Sequence, residues 1–218
     1  IETQAIAGLS VHRQLEDTSD VSDLANYKEL FDAAFPERPE VERYNRVAAG
    51  LAIAAYERTL LANEAPFQRW LRGDKDAMSA LEKEGALVFF GKAQCGNCHT
   101  GPALNSMEFH GIGLGDLMDC PEGVLLTSVN APEHLGRGGF TNRAEDMYKF
   151  KVPQLYNLKD SPFYGHGGTL RSIREVITYK NEAVPQKTTV PAAQLAEDFV
   201  PLGLTDQEID ALVAFIEN

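Results

Sequence analysis

Between Val41 and Leu61 the apolar residues Val47, Leu51, Ala54, Ala55 and Leu61 recur at helical spacings, and Pro36 and Pro39 stand where such a helix would begin. A second run passes through Met78, Leu81, Leu87 and Phe90, with Asp74 available as its cap and Gly91 as its stop. Near the end, Thr205-Asp206-Gln207-Glu208 has the form of a capping box ahead of Ile209, Leu212, Val213 and Ile216, which predicts a last helix with a sharp start. Between Thr100 and Ser172 the character changes. Glycine, proline and asparagine are dense there and strand-type alternation is nearly absent, so long loops with short helices are expected. The fold class is all-α, of few helices, and so much irregular chain in a compact domain needs an organiser such as a large buried cofactor.

Composition narrows the partners. The 218 residues suit one large domain or two small ones, and 44% hydrophobic residues can build a real core. A formal charge of −12 disfavours nucleic acid and anionic membrane surfaces and favours a basic protein partner, although acidity also serves solubility. No run of about 18 apolar residues occurs, so no membrane span is expected. The opening at Ile1, without a basic segment and an apolar stretch after it, reads as a cut; the end at Asn218, inside a helical pattern, suggests truncation or disorder. No internal repeat is visible, nor a linker after about Tyr27.

The stretch Gln94-Cys95-Gly96-Asn97-Cys98-His99 carries the chemistry. Cys-x-x-Cys-His is the attachment sequence of c-type haem: on a helical turn the two thiols share a face, so Cys95 and Cys98 can form thioethers to the vinyl groups while His99 presents its imidazole to the iron. A zinc site would have to recruit His110 and Cys120 and leave His99 idle. A dithiol redox pair would need a strand-helix setting that is lacking here. Haem is the favoured reading, with Cys120 as a buried free thiol. It also places the chain on the oxidising, periplasmic side. The ligand opposite His99 decides between electron transfer and peroxide chemistry, and the candidates are Met107, Met118, Met147, His110, His166, Tyr148, Tyr164 and Tyr179. Spacing alone does not choose among them.

The segments "EKEGALVFFGKAQCGNCHTGPALNS", "FHGIGLGD", "GRGGFTNRAEDMYKFKVPQLYNLKDSPFYGHGGTLRSIREVITYKN" and "FVPLGLTDQEIDALVAFIE", with "AIAAYERTLLANEAPFQRWLRGD" upstream, resemble the bacterial di-haem cytochrome c peroxidase and MauG family, in order from Tyr27 to Asn218. The resemblance implies a C-terminal cytochrome c-like haem domain with lead-in helices over residues 27–218, its long loops wrapped around a covalently bound haem, and residues 1–26 as a remnant of the inter-domain and N-terminal haem region. It implies that this haem stores or relays electrons for hydrogen peroxide reduction, or peroxide-driven oxidation, at a second haem outside this chain.

Carried over by position, Cys95 and Cys98 hold the haem and His99 is the proximal iron ligand. Tyr179 aligns with the distal ligand, methionine in electron-relaying peroxidases and tyrosine in MauG, with Met147 as the alternative. His166 matches a histidine close to this haem, where it could bond a propionate or tune the site. Ser161 and Phe163 match backbone carbonyls offered to a calcium ion between the domains. Trp70 matches a family tryptophan and reads as core before electron relay.

Two departures stand out. Leu155-Tyr156-Asn157 replaces the family's Leu-Arg-Asn. In the opening segment Gln4 fits, but Gly8 replaces a proline and Glu16 is the nearest candidate for the peroxidatic glutamate. The implied partners are an electron-donor cytochrome or small copper protein, and a homodimer is compatible. The alternative reading is a mono-haem electron-transfer cytochrome without peroxidase activity.

Overall fold

The computed structural model describes residues 1–11, 21–24, 26–61, 63–101, 103–119, 128 and 130–218. They form two compact units, Ile1–Leu61 and Ala62–Asn218, so the sequence boundary at Tyr27 falls inside the first.

The first unit holds α1 (Glu2–Val11), α2 (Tyr27–Ala34) and α3 (Arg46–Glu57). The helix expected over 41–61 is shorter because Asn45 caps it: its side-chain oxygen accepts from the Ala48 N–H at 3.0 Å, while Glu40–Glu42 form a separate 3₁₀ turn. α1 packs on α3 at Gly50, where a Cβ would stand 3.0 Å from the Cα of Ile6. Leu9, Val21, Phe31, Tyr44, Ala48 and Ala49 form the core. Beside it Asp32 accepts from the Tyr44 hydroxyl at 2.6 Å, from Lys28 at 2.9 Å and from Arg43 at 3.0 Å. These bonds, that of Tyr44 foremost, hold its carboxyl well below the usual carboxylate range.

The second unit contains α4 (Pro66–Leu71), α5 (Ala80–Phe90), α6 (Arg137–Thr141), α7 (Ile173–Glu182) and α8 (Asp206–Ile216), joined by loops and 3₁₀ turns. α5 starts later than Asp74 suggests. Ser79 and Glu82 make a reciprocal capping box, with the Ser79 hydroxyl accepting from the Glu82 N–H at 3.2 Å, so Met78 becomes a core residue ahead of the helix. Gly91 ends α5, and Thr205 with Glu208 forms the expected box at the start of α8.

α5 and α8 meet through Gly85, Val88 and Phe89 on one side and Ala211, Leu212 and Phe215 on the other, all buried. The Phe89 and Phe215 rings lie 5.3 Å apart at 64°, an edge-on packing that fills the crossing. Between Thr100 and Ser172 the described chain is loops, 3₁₀ turns and α6, as expected, with one small antiparallel ladder of β1 (Phe109–His110) and β2 (Phe150–Lys151). Strands of two residues are too short to leave an alternation in the sequence. Among the described residues no helix is long and apolar enough to cross a membrane.

Candidate functional site

The Cys-x-x-Cys-His segment follows α5 directly. Gln94 turns the chain in a left-handed conformation (φ 55°), Cys95–Asn97 form a 3₁₀ turn, and the His99 N–H donates to the Cys95 carbonyl at 2.9 Å. Between the thiols, Gly96 leaves room for the Phe90 ring, which a Cβ would approach to 2.7 Å. Cys95 and Cys98 are not paired in a disulfide. Burial pushes the Cys95 thiol up to about 11 and raises that of Cys98 too, the opposite of the depressed thiolate that a dithiol redox pair requires.

His99 is prepared as a nitrogen donor. Burial pushes its pKa down, so the ring is neutral at pH 7. Its Nδ1 lies 2.9 Å from the Leu104 carbonyl; with the proton on Nδ1 it donates there, and the Nε2 lone pair stays available. The loop braces that carbonyl: Leu104 N–H donates to Gly101 at 3.1 Å and Asn105 N–H to Thr100 at 2.9 Å. Leu104 holds φ at 48°, a left-handed conformation that costs about 1 kcal/mol in a non-glycine residue.

Cys95, Cys98 and His99 open onto a cavity of about 600 Å³, within the roughly 300–1,000 Å³ of cofactor sites. Phe89, Ile112, Leu155, Ile177 and Leu212 make its wall apolar, and the polar side chains on it include His110, Tyr164, His166, Lys180 and Asp198. From α7 the wall takes Ile173, Val176, Ile177 and Lys180, one face of the helix at spacings of three, four and seven. Two thiols, a neutral imidazole and apolar walls fit a covalently attached haem: thioethers need the first, iron the second and the macrocycle the third.

The candidates for the opposite ligand divide. His110, Tyr164 and His166 reach the wall, whereas Met107, Met118, Met147, Tyr148 and Tyr179 do not. Tyr179 is buried with Leu114, Leu170 and Phe199, and its hydroxyl donates to the Ile112 carbonyl. The cause is rotation: at 100° per residue, Tyr179 sits a quarter-turn or more away from the α7 face that Lys180 shares with Ile173 and Ile177. Met147 packs at Gly138, where a Cβ would stand 2.6 Å from the Met147 Cα. Neither residue expected as distal ligand is brought to the cavity.

His166 stacks on Phe150 with ring centroids 3.6 Å apart, and its Nε2 lies 3.2 Å from the Asp116 carboxylate. The buried Asp116 also accepts from Lys187 and lies 3.6 Å from His134 Nδ1. Burial pushes the Asp116 carboxyl up, but bonds from Lys187 and His166 outweigh it, and its pKa is lowered overall. A lowered native pKa adds stability above the ordinary carboxylate value, and that stability is lost as pH falls through the native one. Denaturant unfolding at a series of pH values should therefore show wild type losing stability through the acid range relative to Asp116→Asn, the gap closing at low pH.

Ser161 and Phe163 also line the cavity, and the Ser161 hydroxyl donates to the Phe163 carbonyl at 3.0 Å. Trp70 is partly buried against the core, with the Lys75 ammonium 5.9 Å from its ring. Among the described residues no three His, Cys, Asp or Glu side chains gather to hold a metal ion, and His110 Nε2 lies 3.1 Å from Glu108. Cys120 and Glu16 lie outside the described residues. Two residues, Lys180 and Asp116, lie outside the Cys-x-x-Cys-His motif of the sequence. Lys180 could have been found by counting from the cap at Ser172, which accepts from the Glu175 N–H at 3.1 Å. Asp116 left no signal, because its partners are remote in the chain.

Comparison with known proteins gives the family. The family model for di-haem cytochrome c peroxidase matches residues 3–76. A cytochrome-c peroxidase of Denitromonas iodatirespirans is 35% identical over 215 residues, covering 89% of this chain and 53% of that protein. The methylamine utilization protein MauG of Methylorubrum extorquens is 32% identical over 194 residues, covering 88% of this chain and 48% of that protein. The chain thus spans about half the length of the curated relatives it matches. In fold it resembles the crystal structure of a MauG-like protein associated with microbial copper homeostasis, with a TM-score of 0.70 at 24% identity, over 100% of this chain and 62% of that one. The chain therefore belongs to the di-haem cytochrome c peroxidase and MauG family, whose cofactor is covalently bound c-type haem.

Proposed function

We propose that this chain is the electron-relaying haem region of a peroxidase-type oxidoreductase, acting with a peroxide-reactive haem held elsewhere in the whole protein. The observation that carries the reading is the placement of Cys95, Cys98 and a neutral, Leu104-oriented His99 on one apolar cavity. In this reading residues 27–218 are a cytochrome c-like domain with its lead-in helices, and residues 1–26 belong to the inter-domain region. Haem, when bound, supplies reversible one-electron chemistry at iron.

The protein's own residues do the rest. Cys95 and Cys98 would anchor the macrocycle, and the Nδ1 bond to Leu104 fixes the His99 ring whose Nε2 would bind the iron. Phe89, Ile177 and Leu212 exclude water, which tunes the potential through the local dielectric. His166, fixed by Phe150 and Asp116, is positioned to bond a propionate. A calcium site would draw on the Ser161 and Phe163 carbonyls. The acidic surface suits a basic electron donor, a small cytochrome or copper protein, in the periplasm.

The test is a pyridine haemochrome assay combined with the intact mass of the natural polypeptide. Two haems per chain are expected, one attached at Cys95 and Cys98. A single haem in the full-length protein would leave an electron carrier without peroxidase function, and none would end the haem reading.

A further inference from the structure

We propose that the Lys180 amine, rather than Tyr179 or Met147, is the distal ligand of the haem iron. The inference rests on the haem reading above. Lys180 lies at the end of the α7 face that lines the cavity, beyond Ile173, Val176 and Ile177. Tyr179 is turned into a separate apolar cluster with Leu114, Leu170 and Phe199. Bringing its phenol to the cavity would break that packing and take from the Ile112 carbonyl the hydroxyl it now accepts from.

The three other candidate ligands that reach the wall, His110, His166 and Tyr164, are already engaged. His110 bonds Glu108 through Nε2 at 3.1 Å, His166 is stacked on Phe150 and bonded to Asp116, and the Tyr164 hydroxyl donates to the Leu158 carbonyl at 2.5 Å. Lys180 differs. Its ammonium lies 5.3 Å from the Phe199 ring centroid, and among the described residues it has no hydrogen-bond acceptor and no ion pair, although Asp198 lies on the same wall. A charged amine facing apolar walls with no hydrogen-bonded or ion-paired partner is costly. Coordination removes that cost: the ammonium releases its proton to solvent and gives the freed lone pair to the iron. A strong-field amine opposite His99 would make a bound haem six-coordinate and low-spin, closed to peroxide and suited to relaying electrons. It would also set the potential by a nitrogen donor instead of a thioether or phenolate.

The test uses the full-length holoprotein, with haem at this site first verified by haemochrome assay and peptide mass. Ferric electron paramagnetic resonance and near-infrared magnetic circular dichroism are recorded for wild type, Lys180→Gln and Tyr179→Phe, and difference spectra isolate this haem. Wild type should show the histidine-amine signature, Lys180→Gln should lose it, and Tyr179→Phe should keep it. Retention in Lys180→Gln, loss in Tyr179→Phe, or a tyrosinate or thioether signature in wild type overturns the assignment while the haem reading stands. If Lys180→Gln does not accumulate, the wild-type charge-transfer band decides alone. Absence of haem at Cys95 and Cys98 defeats both readings.

Discussion

Replacing Cys95 and Cys98 together by alanine should remove one full haem equivalent from the protein. The measurement is haem that stays on the polypeptide through acid-acetone extraction and denaturing electrophoresis. Both thiols sit on one turn behind α5 and open onto the same cavity, and no other described cysteine is there to substitute. Each single variant should keep haem through one thioether, at reduced yield, so the double variant is the decisive one. The loss should also lower thermal stability: without its cofactor an apolar cavity of about 600 Å³ has nothing to pack against. A double variant that retains the full haem complement would show that attachment lies elsewhere.

Gly85→Ala should destabilise the second unit by about 3 kcal/mol, the upper end of the usual cost of overpacking. A Cβ at Gly85 would lie 2.0 Å from the Ala211 carbonyl oxygen and 2.7 Å from the Phe215 Cβ. The obstacle is largely backbone, so no rotamer change relieves it and α5 must separate from α8. These two helices also carry Phe89 and Leu212 to the cavity wall, and haem yield should fall with stability. Gly8→Ala is the control. That glycine is also helical, but a Cβ there meets nothing closer than Gln4 Nε2 at 4.0 Å, so the change should be neutral or stabilising by up to about 1 kcal/mol. Equal denaturant midpoints for Gly85→Ala and wild type would mean that the helix crossing is looser than described.

The two variants mark how far the sequence could be read. The haem motif was legible because Cys95, Cys98 and His99 lie within one short stretch of chain and their spacing is itself the signature. The start of α8 was legible for the same reason, since a capping box spans only four residues. α5 is capped at Ser79 and not at Asp74, because only the hydrogen bonds of the folded chain show which polar side chain meets the free N–H groups of the first turn.

By itself, then, the amino-acid sequence determined the helical class, the family and the haem-attachment motif formed by Cys95, Cys98 and His99, all carried by local spacing or ordered resemblance. Tertiary structure decided what else reaches the cavity. Tyr179 and Lys180 are neighbours in sequence, but a rotation of 100° and the docking of α7 bury one against Phe199 and present the other to the site. Asp116 meets His166 across 50 residues and Lys187 across 71. Such contacts leave no periodic trace in the chain, because they exist only once loops without a repeating pattern have been packed around one cavity.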